Sequence, residues 1–199
     1  MEQLKSLTKL VDQFKKLPSV GAKSAERMAY SVISWSDDEI NNFTESLKEV
    51  KNKIHRCPTC GILTEKDLCD ICSSNTRDTT KLMVVCYQKD VLAFEKSETF
   101  NGLYHVLGGV LSIQNGVSYE DLTIDSLLKR VIDGNIKELI LATEPTIDGE
   151  TTAQFIAKLL EKNDITISRL GYGLPMGGHL DYADSLTLSK SLEGRTKIK

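Results

Sequence analysis

Cys57-Pro58-Thr59-Cys60-Gly61-Ile62-Leu63-Thr64-Glu65-Lys66-Asp67-Leu68-Cys69-Asp70-Ile71-Cys72 is the stretch from which the rest of the chain can be read. Two CxxC pairs separated by a short loop can fold back on each other and present four thiolates as a tetrahedron. That is the geometry of a closed structural zinc site. Such a site keeps no open coordination position, so the metal does no chemistry of its own. Two disulfides, or a redox CxxC, are the competing readings. Disulfides imply export, yet the opening residues MEQLKSLTKLVDQFKKL are charged throughout and lack the apolar segment of a signal peptide. The spacing therefore predicts one structural Zn2+ on Cys57, Cys60, Cys69 and Cys72.

Working outward, 199 residues with 40% hydrophobic and 27% charged content describe a soluble globular protein with one ordinary domain plus smaller modules. No apolar run approaches the roughly 20 residues of a membrane span, and no lipidation signal is present. The expectation is a cytoplasmic protein with no membrane association. Cys86 sits in the apolar run Leu82–Tyr87 and reads as a buried reduced thiol rather than a nucleophile.

Net charge is −3, which by itself argues against a nucleic-acid partner; its distribution does not. Residues 1–35 carry Lys5, Lys9, Lys15, Lys16, Lys23 and Arg27 against Glu2, Asp12 and Glu26, a balance of +3 that leaves −6 for the remainder. A DNA-binding surface is to be sought in the positive N-terminal piece.

Leu4, Leu7, Leu10, Val11, Phe14 and Leu17 recur at three- and four-residue steps, predicting an amphipathic helix over 2–16 that Pro18 ends. A second helix is expected over 22–34 with Ala25, Met28, Ala29 and Val32 inward. A third begins at Ser36, where Glu39 completes a capping box, and carries the stripe Ile40, Phe43, Leu47, Val50 and Ile54. From residue 81 the rhythm becomes α/β. Strands are expected over 82–87, 103–107, 138–143 and 165–170, and helices over 90–96, 122–133 and 151–162. A loop is expected over 144–150 and a short helix near 183–192. Strand, helix, strand at this spacing implies parallel pairing with a right-handed crossover. In such sheets the C-terminal strand ends carry the functional loops.

Between the first two helices lies Leu17-Pro18-Ser19-Val20-Gly21-Ala22-Lys23-Ser24-Ala25. Gly21 is expected to supply a conformation other residues resist. The following helix then starts with free N–H groups, which together with its dipole favour a phosphate. Lys23 and Arg27, one turn apart, can reach the same phosphate run without reading bases. Basic charge here opposes the dipole, a local conflict that an external anion resolves.

LPSVGAKSAERMA, CPTCG with CDIC, KDVLAFEK, GLYHVLGG, ILATEPTIDGETTA, GLPMGGHLDYAD and the final LEGR, in this order and over nearly the whole chain, resemble the RecR family of bacterial recombination mediators. The resemblance implies an α+β multi-module fold. Its modules are a helical head with a helix-hairpin-helix (1–54), a four-cysteine zinc finger (55–78), an α/β Toprim domain (79–173) and a C-terminal oligomerisation segment with a helical tail (174–199). It implies a homodimer or homotetramer that binds DNA independently of sequence. It also implies RecO and RecF as partners in loading RecA onto single-stranded DNA coated by single-strand-binding protein. By the same resemblance Gly21, Lys23 and Arg27 fall at DNA-contacting positions, and Asp90 and Asp148 at acidic positions used for partner contact. The chain departs from the family pattern at Ser19, where glycine is usual, at Cys86-Tyr87, where two glutamates are usual, at Gln88, where proline is usual, and at Glu144 and His179.

A Mg2+-dependent Toprim enzyme, a primase or nuclease, is the alternative. That chemistry needs a glutamate after the first strand and an acidic pair after a later one, as hard oxygen ligands around a phosphate. Cys86 and Tyr87 supply no carboxylate, although Asp148-Gly149-Glu150 keeps a two-residue acidic spacing. A zinc-ribbon adaptor reading base sequence is a third class. The knuckle interior, with one lysine and no aromatic, is poorly equipped for base readout. His55, His105 and His179 lack the acid–base company of catalysis. The reading is a non-enzymatic DNA-binding mediator.

Overall fold

The computed structural model describes residues 4–197. The chain divides into two compact units, Met1–Ile54 and His55–Lys199.

The first unit holds α1 (Lys5–Phe14), α2 (Ala22–Val32) and α3 (Asp37–Lys53). Of the helix expected over 2–16, residues 2 and 3 lie outside the described residues. Its C-terminal end tightens into i→i+3 bonds, Lys16 N to Gln13 O and Leu17 N to Phe14 O, both 3.1 Å, before Pro18. Ala25 and Ala29 of α2 are completely buried; small residues one turn apart let helices approach closely. Met28, expected inward, is instead exposed. Ser36 caps α3: Glu39 N donates to Ser36 Oγ at 3.3 Å and Ser36 N to Glu39 Oε2 at 2.7 Å. The Ser36 backbone and hydroxyl donors hold the Glu39 carboxyl below the usual range. The apolar stripe of α3 stays open: Ile40, Phe43, Leu47 and Val50 are 39–59% exposed, with Trp35 edge-on to Phe43.

The second unit begins with a short antiparallel pair, β1 (His55–Arg56) and β2 (Leu63–Thr64). It continues through β3 (Asp78–Val85), α4 (Gln88–Ser97), β4 (Gly102–Val106), α5 (Ile124–Asp133), β5 (Glu138–Ala142), α6 (Ile147–Leu159), β6 (Thr166–Arg169) and α7 (Ser185–Glu193). Strands β3 to β6 form an all-parallel sheet in the order β4-β3-β5-β6. The central strands are apolar on both faces, as a doubly covered parallel sheet requires. Leu82 and Val84 register with Leu139 and Leu141 and pack with Leu127 and Val131 of α5 and Ile156 of α6. The alternate residues Met83 and Val85 face the other side with Val91 of α4, Tyr104, Val106 and three of the knuckle cysteines.

Helix α6 begins four residues before the expected Thr151, so much of the expected loop over 144–150 is helix. Thr146 caps it, its Oγ1 accepting from Gly149 N at 3.0 Å. Only glycine fits at 149, because a Cβ there would stand 2.0 Å from Glu144 O. His105 is buried in β4, with Nε2 2.9 Å from Thr123 Oγ1.

Candidate metal centre and nucleic-acid interface

The knuckle is built by its backbone. Cys57 N donates to Ile62 O at 2.7 Å and Gly61 N to Cys57 O at 2.9 Å, and Ser73 N closes the second turn on Cys69 O at 3.0 Å. Gly61 has φ +77°, and a Cβ there would lie 2.8 Å from Val106 O, so glycine is required twice over. Val106 N donates to Cys60 O at 2.8 Å, seaming the knuckle to β4.

These turns bring the four sulfurs within 4.8 Å of one another, with Cys60 and Cys69 at 3.4 Å. A tetrahedron with Zn–S bonds of about 2.3 Å has sulfurs about 3.8 Å apart. The donor set fits a zinc ion in number, type and spacing. A hydrogen bond from Cys60, working against burial and helped by the Arg130 charge, pulls the Cys72 thiol down to about 6. The same contact with Cys72, and then burial, push the Cys60 thiol up. Packed thiols that cannot all ionise together are what a divalent cation would neutralise.

In the first unit, the loop before α2 corrects the expectation for Gly21. Its backbone is extended, φ −78° and ψ 171°, with nothing near where a Cβ would stand. The left-handed residue is Ser19, at φ 64°. Val20 N closes the turn on Leu17 O at 3.2 Å, with Pro18 at its second position and the positive φ of Ser19 at its third, where a type II turn needs it. Gly21 contributes in another way: as N-cap of α2 it has no side chain to occupy the first amides, and no acid stands in the first turn. Lys23 and Arg27 are exposed and, among the described residues, make no ion pair.

The helix-hairpin-helix model of RecR matches residues 7–51, the RecR four-cysteine zinc-finger domain 54–74, a Toprim domain 80–171 and the RecR C-terminal model 173–196. The chain belongs to the RecR family. Four models in family order account for the fold class, the single structural Zn2+ and a role in recombination and DNA repair. The disulfide and redox readings of the cysteines fall to the zinc-finger match and the four-sulfur cluster.

In the segment matched by the Toprim model, the carboxylates of Asp90, Glu144 and Glu150 are engaged. β3 and β5 are parallel neighbours, so Asp90, in the first turn of α4, and Asp148, in the first turn of α6, both lie at the C-terminal end of the sheet. Asp90 Oδ2 accepts from Tyr87 N at 2.8 Å. Glu144 faces Lys89, Nζ to Oε1 3.3 Å. Arg169 holds the Glu150 carboxylate at 2.6 and 2.9 Å, and Tyr172 donates to the same oxygen. Burial pushes Glu150 up, but the bonds from Tyr172 and Arg169 outweigh it and hold the carboxyl below its usual range. Cys86 is completely buried, which pushes its thiol up to about 11. The sequence reading missed Arg169 and Lys89. Glu150 and Arg169 are 19 residues apart and meet only because β6 lies beside β5.

Among the described residues, no helix is long and apolar enough to cross a membrane.

Proposed function

We propose that this RecR-family chain is a non-catalytic cytoplasmic mediator that holds DNA by its phosphates through Gly21, Lys23 and Arg27. It would act with RecO and RecF to help load RecA onto single-stranded DNA coated by single-strand-binding protein. The observation that carries the reading is the uncapped, acid-free start of α2, flanked by two exposed cations that make no ion pair among the described residues. An anion belongs there on elementary grounds.

Few cations per chain favour several chains acting together, because linked weak sites gain by effective concentration. The open α3 stripe, with Leu180, Tyr182, Leu186 and Leu192 exposed in the tail, supports self-association as a homodimer or homotetramer. In this reading residues 1–54 are the DNA-holding head, 55–78 the zinc clasp, 79–173 the platform that meets protein partners through Asp90 and Asp148, and 174–199 the assembly segment. The non-catalytic assignment draws support from Glu150, whose carboxylate is committed to Arg169 and Tyr172, and from β3, which is followed by Cys86 and Tyr87 rather than by a carboxylate.

The test is an assay of RecA filament formation on single-strand-binding-protein-coated DNA with purified RecO. Acceleration on adding this protein is expected. No acceleration, or Mg2+-dependent cleavage or primer synthesis abolished by Asp148→Ala, overturns the reading.

A further inference from the structure

Tyr87 stands at the C-terminal end of the sheet between β3 and α4, with its ring partly exposed. A cavity of about 360 Å³ opens beside it, lined by Arg56, Leu63, Tyr87, Gln88, Lys89 and Gly108 among others. A second, of about 450 Å³, shares Tyr87 and Gly108 with it, so the two lie side by side at this ring. Lys89 Nζ lies 4.8 Å over the ring. Gln88 Oε1 accepts from Leu63 N at 2.8 Å, which fixes one wall against the other. Arg56 reaches across to Gly61 O, at 3.4 Å, and makes no ion pair among the described residues.

A π face, two cations and an amide around a space of this size match one ligand chemistry: a flat heteroaromatic ring with a phosphate attached. Carboxylates at 86 and 87 would repel that phosphate; Cys86 and Tyr87 do not. Lys89 pairs with Glu144 at 3.3 Å, a contact of a largely exposed lysine that a phosphate can displace. We propose that this cavity takes one unpaired nucleobase of single-stranded DNA, stacked on Tyr87, with Arg56 and Lys89 meeting the adjoining phosphates. The inference rests on the DNA-binding reading above but uses residues separate from the hairpin. Duplex DNA keeps its bases stacked inside and cannot offer one to the ring.

The experiment titrates full-length, zinc-loaded protein against labelled oligo-dT and against a duplex of equal length, by fluorescence anisotropy. Tyr87→Ala should weaken oligo-dT binding roughly tenfold, the usual scale of base–aromatic stacking, and leave duplex binding unaltered. Tyr87→Phe, which keeps the ring, should match the parent protein. Unaltered oligo-dT affinity in Tyr87→Ala, or an equal loss on both DNA forms, overturns the inference. So does displacement of oligo-dT by dTMP at comparable concentration, which would make a free nucleotide the occupant. Lys23→Ala/Arg27→Ala separates the two readings. If that variant loses both DNA forms while Tyr87→Ala changes nothing, the cavity fails alone. If it changes nothing while Tyr87→Ala weakens oligo-dT, the hairpin fails alone.

Discussion

Replacing Cys60 by serine should loosen the sheet as well as the knuckle. Cys60 is completely buried, its sulfur is 3.4 Å from Cys69, and its carbonyl accepts the Val106 N–H at 2.8 Å. It shares one cluster with Met83, Val85, Tyr104 and Val106, so there is no apolar layer between the metal site and β3 or β4. A structural zinc contributes roughly 10–16 kcal/mol of apparent folding free energy in isolated fingers, against about 5–15 kcal/mol for an entire domain. Removing one of four ligands and leaving a buried hydroxyl should therefore cost about 5 kcal/mol or more. The assay is native-state hydrogen exchange on peptides covering residues 82–86 and 102–107, alongside zinc content per chain. The variant should hold no zinc and should lose protection in both strands together. A Cys60→Ser protein without zinc that keeps parental protection in β3 and β4 would refute the reasoning, because the clasp would then be separable from the sheet.

Three further outcomes follow from single residues. Burial first, and the Arg130 charge second, hold His105 down at about 4 against an ordinary 6.5. The unfolded chain therefore takes up a proton that the folded one refuses. The resulting stability is complete above pH 6.5 and falls away toward pH 4, by about 3 kcal/mol. Urea unfolding of His105→Gln across that range should lose this part of the pH slope, and an unchanged slope would contradict it. Ser19→Gly relieves a left-handed φ of 64° and should raise the stability of the helical hairpin by about 1 kcal/mol, read by thermal unfolding. Arg169→Met strips Glu150 of its partner, together with the Leu141 and Thr143 carbonyls bonded at 2.7 and 2.8 Å. A loss of about 2–3 kcal/mol is expected in denaturant titration, and a neutral result would show that the network is idle.

What the sequence made legible is what depends on near neighbours. The zinc ligands lie within one short stretch, and the Ser36–Glu39 cap spans a single turn, so spacing alone locates both. The apolar runs of β3 and β5 announce a sheet covered on both faces. Helix α6 started early because Thr146 caps it, a signal present in the chain but outweighed by Pro145 and Gly149, which read as loop. In the hairpin, the eye goes to Gly21 because glycine can bend, whereas the bend falls on Ser19. Periodicity identified the apolar face of α3 without saying whether anything covers it, and that face is exposed. The Glu150–Arg169 pair and the Tyr87 cavity depend on strand order and on the seating of the knuckle, which no local pattern encodes.

The measurement closest to the central claim is the salt dependence of duplex binding for the parent protein and for Lys23→Ala/Arg27→Ala. Each phosphate neutralised contributes about 0.9 to the slope of log K against log salt concentration. Losing both cations should make that slope shallower by about 1.8 per engaged protomer, with affinity falling at low salt while zinc content and assembly state stay as they were. Equal slopes and equal affinities would place the DNA elsewhere on the molecule.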